Sequence, residues 1–160
     1  MLLKPQFYCL LFVLLFVTGG AFSQVSKLIE DHFAALNRHD VKAIAAGYAD
    51  SAKVYSPNWE GAKSGRAGIT DVYARYFTST PDLSYKVVNI IYAGDNIVVE
   101  YSVTGTLSNP EGATPAYMKD KKYMLNYCAI FTIKNGKITK ETDYFDQVAF
   151  LRQVGFFDQK

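Results

Sequence analysis

At Leu83 the spacing of apolar residues changes from the three-to-four of a helix to the two of a strand, which divides the chain into a helical part and a sheet part. Upstream, Val25, Leu28, Ile29, His32, Phe33 and Leu36 predict an amphipathic helix over residues 24–38. Asp40 precedes Val41, Ala43, Ile44, Ala45 and Ala46, so a second, short helix is expected with that carboxylate as its cap and Gly47 at its end. Ile69, Val72, Tyr73, Tyr76 and Phe77 form a third helical stripe. Residues 52–55 read as a brief extended stretch and 57–65 as a polar loop.

Downstream, residues 84–92 and 97–107 alternate about the turn Ala93-Gly94-Asp95-Asn96. Residues 123–133 and 138–146 do so about Lys134-Asn135-Gly136-Lys137, whose Asn-Gly step is a strong hairpin signal. A short helix over 148–154 closes the chain with apolar residues suited to docking. Helices followed by a run of antiparallel strands predict an α+β domain, its three N-terminal helices gathered on one face of a curved antiparallel sheet. Tyr, Val and Ile occupy both alternating sets of the strands, so the other face is expected to be covered too, by a twofold partner: a homodimer through the sheet face.

The first residues carry Lys4, an apolar run from Phe7 to Val17, and the small residues Ala21 and Ser23. That pattern predicts a secretory leader over residues 1–23 and a single mature domain over 24–160. The apolar run is about half the roughly 20 residues of a membrane-spanning helix, and no second run follows, so no membrane association is expected after cleavage. Cys9 lies inside the run rather than after it, which argues against a lipidated cysteine. The expected location is therefore outside the cytoplasm, periplasmic or secreted. Cys128 alone remains in the mature chain, so no intramolecular disulfide can form. Its simplest role is that of a small buried hydrophobe.

Basic and acidic residues nearly balance, 17 against 15, and apart from Lys119-Asp120-Lys121-Lys122 they are scattered. Nothing here builds the basic face that nucleic acid requires. His32 and His39 are the only histidines, and neither a metal-binding spacing, a glycine-rich phosphate loop nor a G-x-S-x-G elbow occurs. No metal and no cofactor are expected.

Several segments together resemble a known family. Phe33 to Asp50, the Gly65-Arg66 entry to the third helix, the Pro81-Asp82-Leu83 step, Gly94-Asp95-Asn96-Ile97-Val98-Val99 and Val103-Thr104-Gly105-Thr106 are similar to the SnoaL-like group of the nuclear-transport-factor-2-like superfamily, which is related to polyketide cyclases. The most specific match is the end: Asn135-Gly136-Lys137-Ile138, Tyr144-Phe145-Asp146-Gln147 and Leu151-Arg152-Gln153-Val154-Gly155. The resemblance implies a cone-shaped half-barrel around a largely apolar cavity. It does not choose among the isomerases, dehydratases, cyclases, epoxide hydrolases and non-enzymes that share the fold.

In SnoaL-like cyclases a pocket carboxylate removes a proton beside a carbonyl without a cofactor, and the resemblance places that role on Asp146. Simple alternation puts Ile138, Lys140, Thr142, Tyr144 and Asp146 on one face of the last strand. Tyr144 would then hydrogen-bond an enolate oxygen beside Asp146, and His32 would serve as a second acid/base group. The competing reading makes Asp146 the cap of the terminal helix and His32 a hydrogen-bonded core residue. Thr142 stands where related members commonly carry a large pocket residue. Candidate ligand contacts are Tyr48, Tyr55, Trp59, Tyr73, Tyr101 and Asn126, the tyrosines being equally suited to core packing. Glu100 falls on the more polar face of its strand, His39 is expected to be exposed, and Arg66 to hold a helix end or an acidic partner. Three functions stay open: an acid/base enzyme on a small, mostly apolar molecule, a non-catalytic binding protein for such a molecule, or an assembly module whose cone is filled.

Overall fold

A computed structural model describes residues 23–112 and 114–158. The leader expected over 1–23 lies, but for its last residue, outside them. Helix α1 covers residues 23–37, α2 Val41–Ala46 and α3 Gly65–Ser79. Between α2 and α3 run strands β1, Tyr48–Tyr55, and β2, Lys63–Ser64. Then come β3, Ser84–Ala93, and β4, Asn96–Thr106, a short 3-10 turn at Ala116–Met118, β5, Lys122–Lys134, β6, Lys137–Phe145, and helix α4, Gln147–Gln153. No described helix is long and apolar enough to cross a membrane.

The two hairpins form where the turn residues require them. Asn135 and Gly136 both take positive φ, 52° and 68°, the backbone that an Asn-Gly pair accepts at least cost. Asp40 caps α2 as expected, accepting from the Ala43 amide at 3.0 Å. One unclosed sheet holds all six strands in the order β2-β1-β6-β5-β4-β3. The fold is thus α+β, as expected, with one correction to the all-antiparallel sheet: β1 pairs with β6 in parallel. The brief extended stretch at 52–55 is the end of an eight-residue strand. Its partner β6 arrives after the chain has passed through α3 and the β3–β5 meander, a long-range pairing that no local pattern announces.

The helices cover the sheet's inner face. Ile29, Phe33 and Leu36 of α1 and Ile69 and Tyr73 of α3 meet Val99, Tyr101 and Val103 of β4 and Phe131 and Ile133 of β5 in one buried cluster. A smaller cluster docks α4: Val154 and Phe150 pack with Leu107, Met118 and Tyr123. Gln153 fastens it, its side-chain amide accepting from the Met124 N–H at 2.8 Å and donating to the Met124 carbonyl at 2.9 Å. On the outer face Val88, Met124 and Tyr144 stand exposed. His39 is not exposed as expected: its ring stacks on Phe77 at 4.2 Å and its Nε2 lies 2.7 Å from the Leu83 carbonyl.

Gly105 marks a close approach of β4 to the end of α3. A Cβ there would lie 2.3 Å from the Thr80 methyl and 3.2 Å from Leu83. Thr80 is buried and its hydroxyl is tied to the Tyr123 hydroxyl at 3.1 Å, so it cannot simply swing away. Gly105→Ala is therefore expected to destabilise the domain by about 1–3 kcal/mol through overpacking, read as a lower urea midpoint with an unchanged slope.

Candidate functional site

Between the helices and the inner face of the sheet the core is incomplete. A cavity of about 150 Å³ remains, walled by His32 and Phe33 of α1, by Val72, Tyr73 and Tyr76 of α3, and by Tyr101 and Val103 of β4. Leu125, Tyr127 and Phe131 of β5, Phe145 of β6 and Phe150 of α4 complete the apolar wall. Directly opposed residues make part of it a ladder: Tyr101 faces Tyr127 across β4–β5 with rings 5.2 Å apart, and Tyr127 faces Phe145 across β5–β6 with rings 4.4 Å apart. Such cross-strand aromatic stacks hold a wall rigid.

Into this wall β6 inserts two carboxyl groups, Glu141 and Asp143. Their orientation rests on one extra residue. Ile133 of β5 pairs with Ile138, but the next position, Thr132, pairs with Lys140, so Thr139 is bulged out of the ladder. A bulge shifts every following side chain to the opposite face. Ile138 points into the core, and beyond the bulge Glu141, Asp143 and Phe145 do so, while Lys140, Thr142, Tyr144 and Asp146 turn outward.

This corrects the sequence-based placement of the site. Tyr144 and Asp146 share a face, as alternation predicts, but it is the outer one: they border a shallow concavity with Glu100, Asn126 and Cys128, and Tyr144 is exposed. Asp146 is the cap of α4, accepting from the Ala149 amide at 2.9 Å. Asn126 and Tyr55 also lie away from the cavity, Tyr55 beneath the Lys140 ammonium at 5.4 Å. His32, Trp59, Tyr73 and Tyr101 do line it, and Tyr48 lies just behind. Of the two roles expected for Arg66, the structure shows the acidic partner: its Nε lies 3.0 Å from an Asp50 carboxylate oxygen, and it also donates to the carbonyl of Tyr48, in strand β1, at 3.2 Å.

Glu141 is buried and held on two sides. The Tyr48 hydroxyl donates to its Oε2, and the Tyr73 hydroxyl to its Oε1 at 3.5 Å, the two phenols themselves being 3.3 Å apart. Burial pushes the Glu141 carboxyl up to about 7, against the pull of these hydroxyl donors. Asp143 is driven well above the usual carboxylate range by burial and by the neighbouring Glu141. The two carboxyls act as a pair that retains a proton near neutrality. Tyr48 and Tyr73 favour the charge on Glu141, which leaves the proton on Asp143. The phenols are themselves raised well above their ordinary value, by burial first and by Glu141 next, so they stay hydroxyl donors.

His32 is buried among Phe33, Tyr48, Tyr73 and Phe131, whose ring centroids lie 5.5–6.3 Å away in edge contacts. Burial lowers it to about 4, so the imidazole is neutral at physiological pH. The alternative of a hydrogen-bonded core histidine does not describe it, because neither ring nitrogen has a hydrogen-bond partner. Among the described residues, the buried side-chain polar atoms without a partner are His32 Nδ1 and Nε2, Trp59 Nε1 and Asp143 Oδ1. All belong to residues of this one cavity. Buried polar atoms are normally paired, and leaving one unpaired costs about 1–3 kcal/mol, so this concentration singles out the site. Among the described residues no group of three or more His, Cys, Asp or Glu side chains is placed to hold a metal ion.

Comparison with known proteins agrees with this architecture. Residues 29–141 match the model of the SnoaL-like domain. The chain belongs to the SnoaL-like family. Among solved structures, a protein from Jannaschia sp. CCS1 proposed to be a SnoaL-like polyketide cyclase superposes with a TM-score of 0.73 at 18% identity, over 82% of this chain and 92% of that one. IdmH of Streptomyces antibioticus, proposed to be a polyketide cyclase, gives 0.69 at 22% identity over 82% and 99%. An NTF2-like protein of unknown function from Burkholderia pseudomallei gives 0.68 at 18% over 82% and 97%. At such identities the likeness is one of fold. No curated protein matches the sequence.

The raised carboxyl pair of this SnoaL-like domain is expected to make its stability depend on pH. Unfolding returns Glu141 from about 7 towards its ordinary value of 4.5, so the folded chain binds the extra proton and its stability falls as pH rises between those values. Glu141→Gln removes that loss. Its melting temperature relative to the parent is expected to be highest above pH 7 and to fall back as pH drops to 4.5, as thermal scans across that range would show.

Proposed function

We propose that this SnoaL-like protein binds a small carbonyl compound in the cavity and moves a proton on it by acid/base chemistry, as an isomerase, cyclase or dehydratase does. The observation that supports this is the carboxyl pair on β6, one oxygen of which, Asp143 Oδ1, is buried at the cavity without a partner. A proton-transfer group needs an oxygen not already engaged and a pKa near the working pH, and the pair offers both.

The step balances within the site. As the C–H bond beside the carbonyl breaks, its proton passes to Asp143 Oδ1, and the proton held by Asp143 shifts to Glu141. The C–H electron pair forms the double bond of an enolate. Trp59 Nε1–H, a donor with no other partner, is suited to the enolate oxygen, with the neutral His32 as a second donor. Return of the proton to the same carbon completes an exchange, and, where a further C=C is conjugated with the enolate, return to the remote carbon of that dienolate gives the isomer; either restores the pair.

Two further expectations belong to this reading. The leader-like opening supports export, so the reaction would run outside the cytoplasm. The exposed Val88, Met124 and Tyr144 support a second copy on the outer sheet face, and Met124→Glu with Tyr144→Glu should then shift sedimentation from dimer to monomer.

The reading is tested by deuterium uptake from heavy water into the carbon beside the carbonyl of cyclohexanone, followed by NMR. Asp143→Asn is expected to slow protein-catalysed exchange about 10²–10⁴-fold, the usual share of a general acid/base. Asp146→Ala should leave exchange intact and lower stability by about 1 kcal/mol, the loss of a helix cap. Cyclohexanone bound without exchange would identify a non-catalytic binding protein, and exchange indifferent to Asp143 would remove the pair from the mechanism.

A further inference from the structure

The cavity's dimensions and the chemistry of its unpaired atoms restrict what it can hold more narrowly than the acid/base reading on which the restriction builds. We infer that the ligand is a single-ring, uncharged molecule carrying at least one hydrogen-bond-accepting oxygen, rather than a fused polycycle or a carboxylate.

The size argument comes first. Sites for drug-sized ligands run to about 300–1,000 Å³, whereas this cavity is about 150 Å³. An apolar protein cavity of that size takes up benzene. Enlarging it would require moving the Tyr101–Tyr127–Phe145 ladder, whose rings are fixed by β-sheet register, or the buried Phe33, Val103 and Leu125. Flat aromatic walls on several sides suit a flat or nearly flat ring.

Charge comes next. Among the described residues no lysine or arginine lines the cavity, while the Glu141–Asp143 pair carries negative charge whenever it holds fewer than two protons. A bound carboxylate would meet like charge with no cation to compensate. A quaternary ammonium would find aromatic faces, but it can neither accept from Trp59 Nε1–H nor pair with His32, and those atoms would stay orphaned. A neutral ring bearing a carbonyl or hydroxyl oxygen accepts from Trp59, and a ring hydroxyl also reaches Asp143 Oδ1 or the free nitrogen of His32. Such a molecule satisfies the site with the fewest atoms.

Trp59 is the chain's only tryptophan, so its fluorescence reports occupancy directly. Titration of the full mature protein with phenol and cyclohexanone, against 2-naphthol, 2-decalone, benzoate and tetramethylammonium, tests the inference. Saturable quenching by phenol or cyclohexanone is expected, with the bicyclic and charged probes weaker by at least about tenfold, a separation of about 1.4 kcal/mol. The competing probes should fail equally to protect the chain in thermal shift. Equal or tighter binding of 2-naphthol, 2-decalone, benzoate or tetramethylammonium would overturn the inference, as would absence of saturable binding by both single-ring probes. The outcomes separate the two proposals. Ring-selective binding without deuterium exchange supports this inference and sinks the acid/base reading, whereas Asp143-dependent exchange on 2-decalone at the rate seen with cyclohexanone sinks this inference and leaves the acid/base reading in place.

Discussion

Two carboxyl groups two residues apart on one strand cannot enter a protein interior unless the surroundings meet them from several elements at once. Glu141 accepts from Tyr48 on β1 and Tyr73 on α3, and Asp143 lies against Glu141 and Tyr101 of β4. Each of those partners depends on a long-range feature of the fold. Tyr48 reaches Glu141 only because β1 lies parallel to β6, and Tyr73 only because α3 crosses the inner face of the sheet. The pair is a group around which the helical and sheet parts of the chain are mutually positioned. Its raised proton affinity is the residual cost of that burial, and it keeps a proton on the pair near neutral pH.

The helices and hairpins were legible because they rest on local rules. A 3.6-residue period, an Asp at a helix start and an Asn-Gly turn act over a few residues, and each is found where it was expected. The parallel β1–β6 pairing was not legible, since the two strands are separated by most of the domain and nothing local distinguishes a parallel from an antiparallel neighbour. Nor was β2, two residues long, separable from the loop that contains it.

The site failed to emerge from the sequence for a sharper reason. Strict alternation from Ile138, which is buried, puts Asp146 inward and Glu141 outward; the bulge at Thr139 inverts both. A signal was nevertheless present. Thr139, Glu141, Asp143 and Phe145 were the opposite set, and a strand face carrying two acids and a phenylalanine beside a face carrying a lysine, a threonine and a tyrosine is ambiguous under a period of two. Only the pairing partners decide it: Asp143 stands opposite the small Ala129, which leaves room for a carboxyl, and Glu141 opposite Phe131, which helps to seal one. His32, Tyr73 and Tyr101 could be found because α1, α3 and β4 each keep their own period over those residues, whereas Trp59 stands in the loop between β1 and β2, where only its residue type pointed to it.

A domain with this much aromatic surface has the means to close its cavity, and the positions around it show what keeps it open. Tyr101, Tyr127 and Phe145 stack on one another along the sheet rather than across the gap, and Phe33 sets its ring edge-on to Tyr101 at 5.1 Å. Stacking in the plane of the wall satisfies the rings without requiring them to fill the space in front. The rim is held as well: Asn58 donates to the Tyr76 hydroxyl at 2.8 Å, and the Trp59 amide donates to the Ser56 carbonyl at 3.3 Å, so the indole N–H is presented at the cavity without the rim first having to order. Four unpaired polar atoms in such a frame lower stability with no structural return, because none of them bonds the protein that holds it in place. On the acid/base reading proposed above, such groups would gain their partner when the small carbonyl compound enters, and the stability forgone in the empty domain would be recovered as binding energy beside the carboxyl pair.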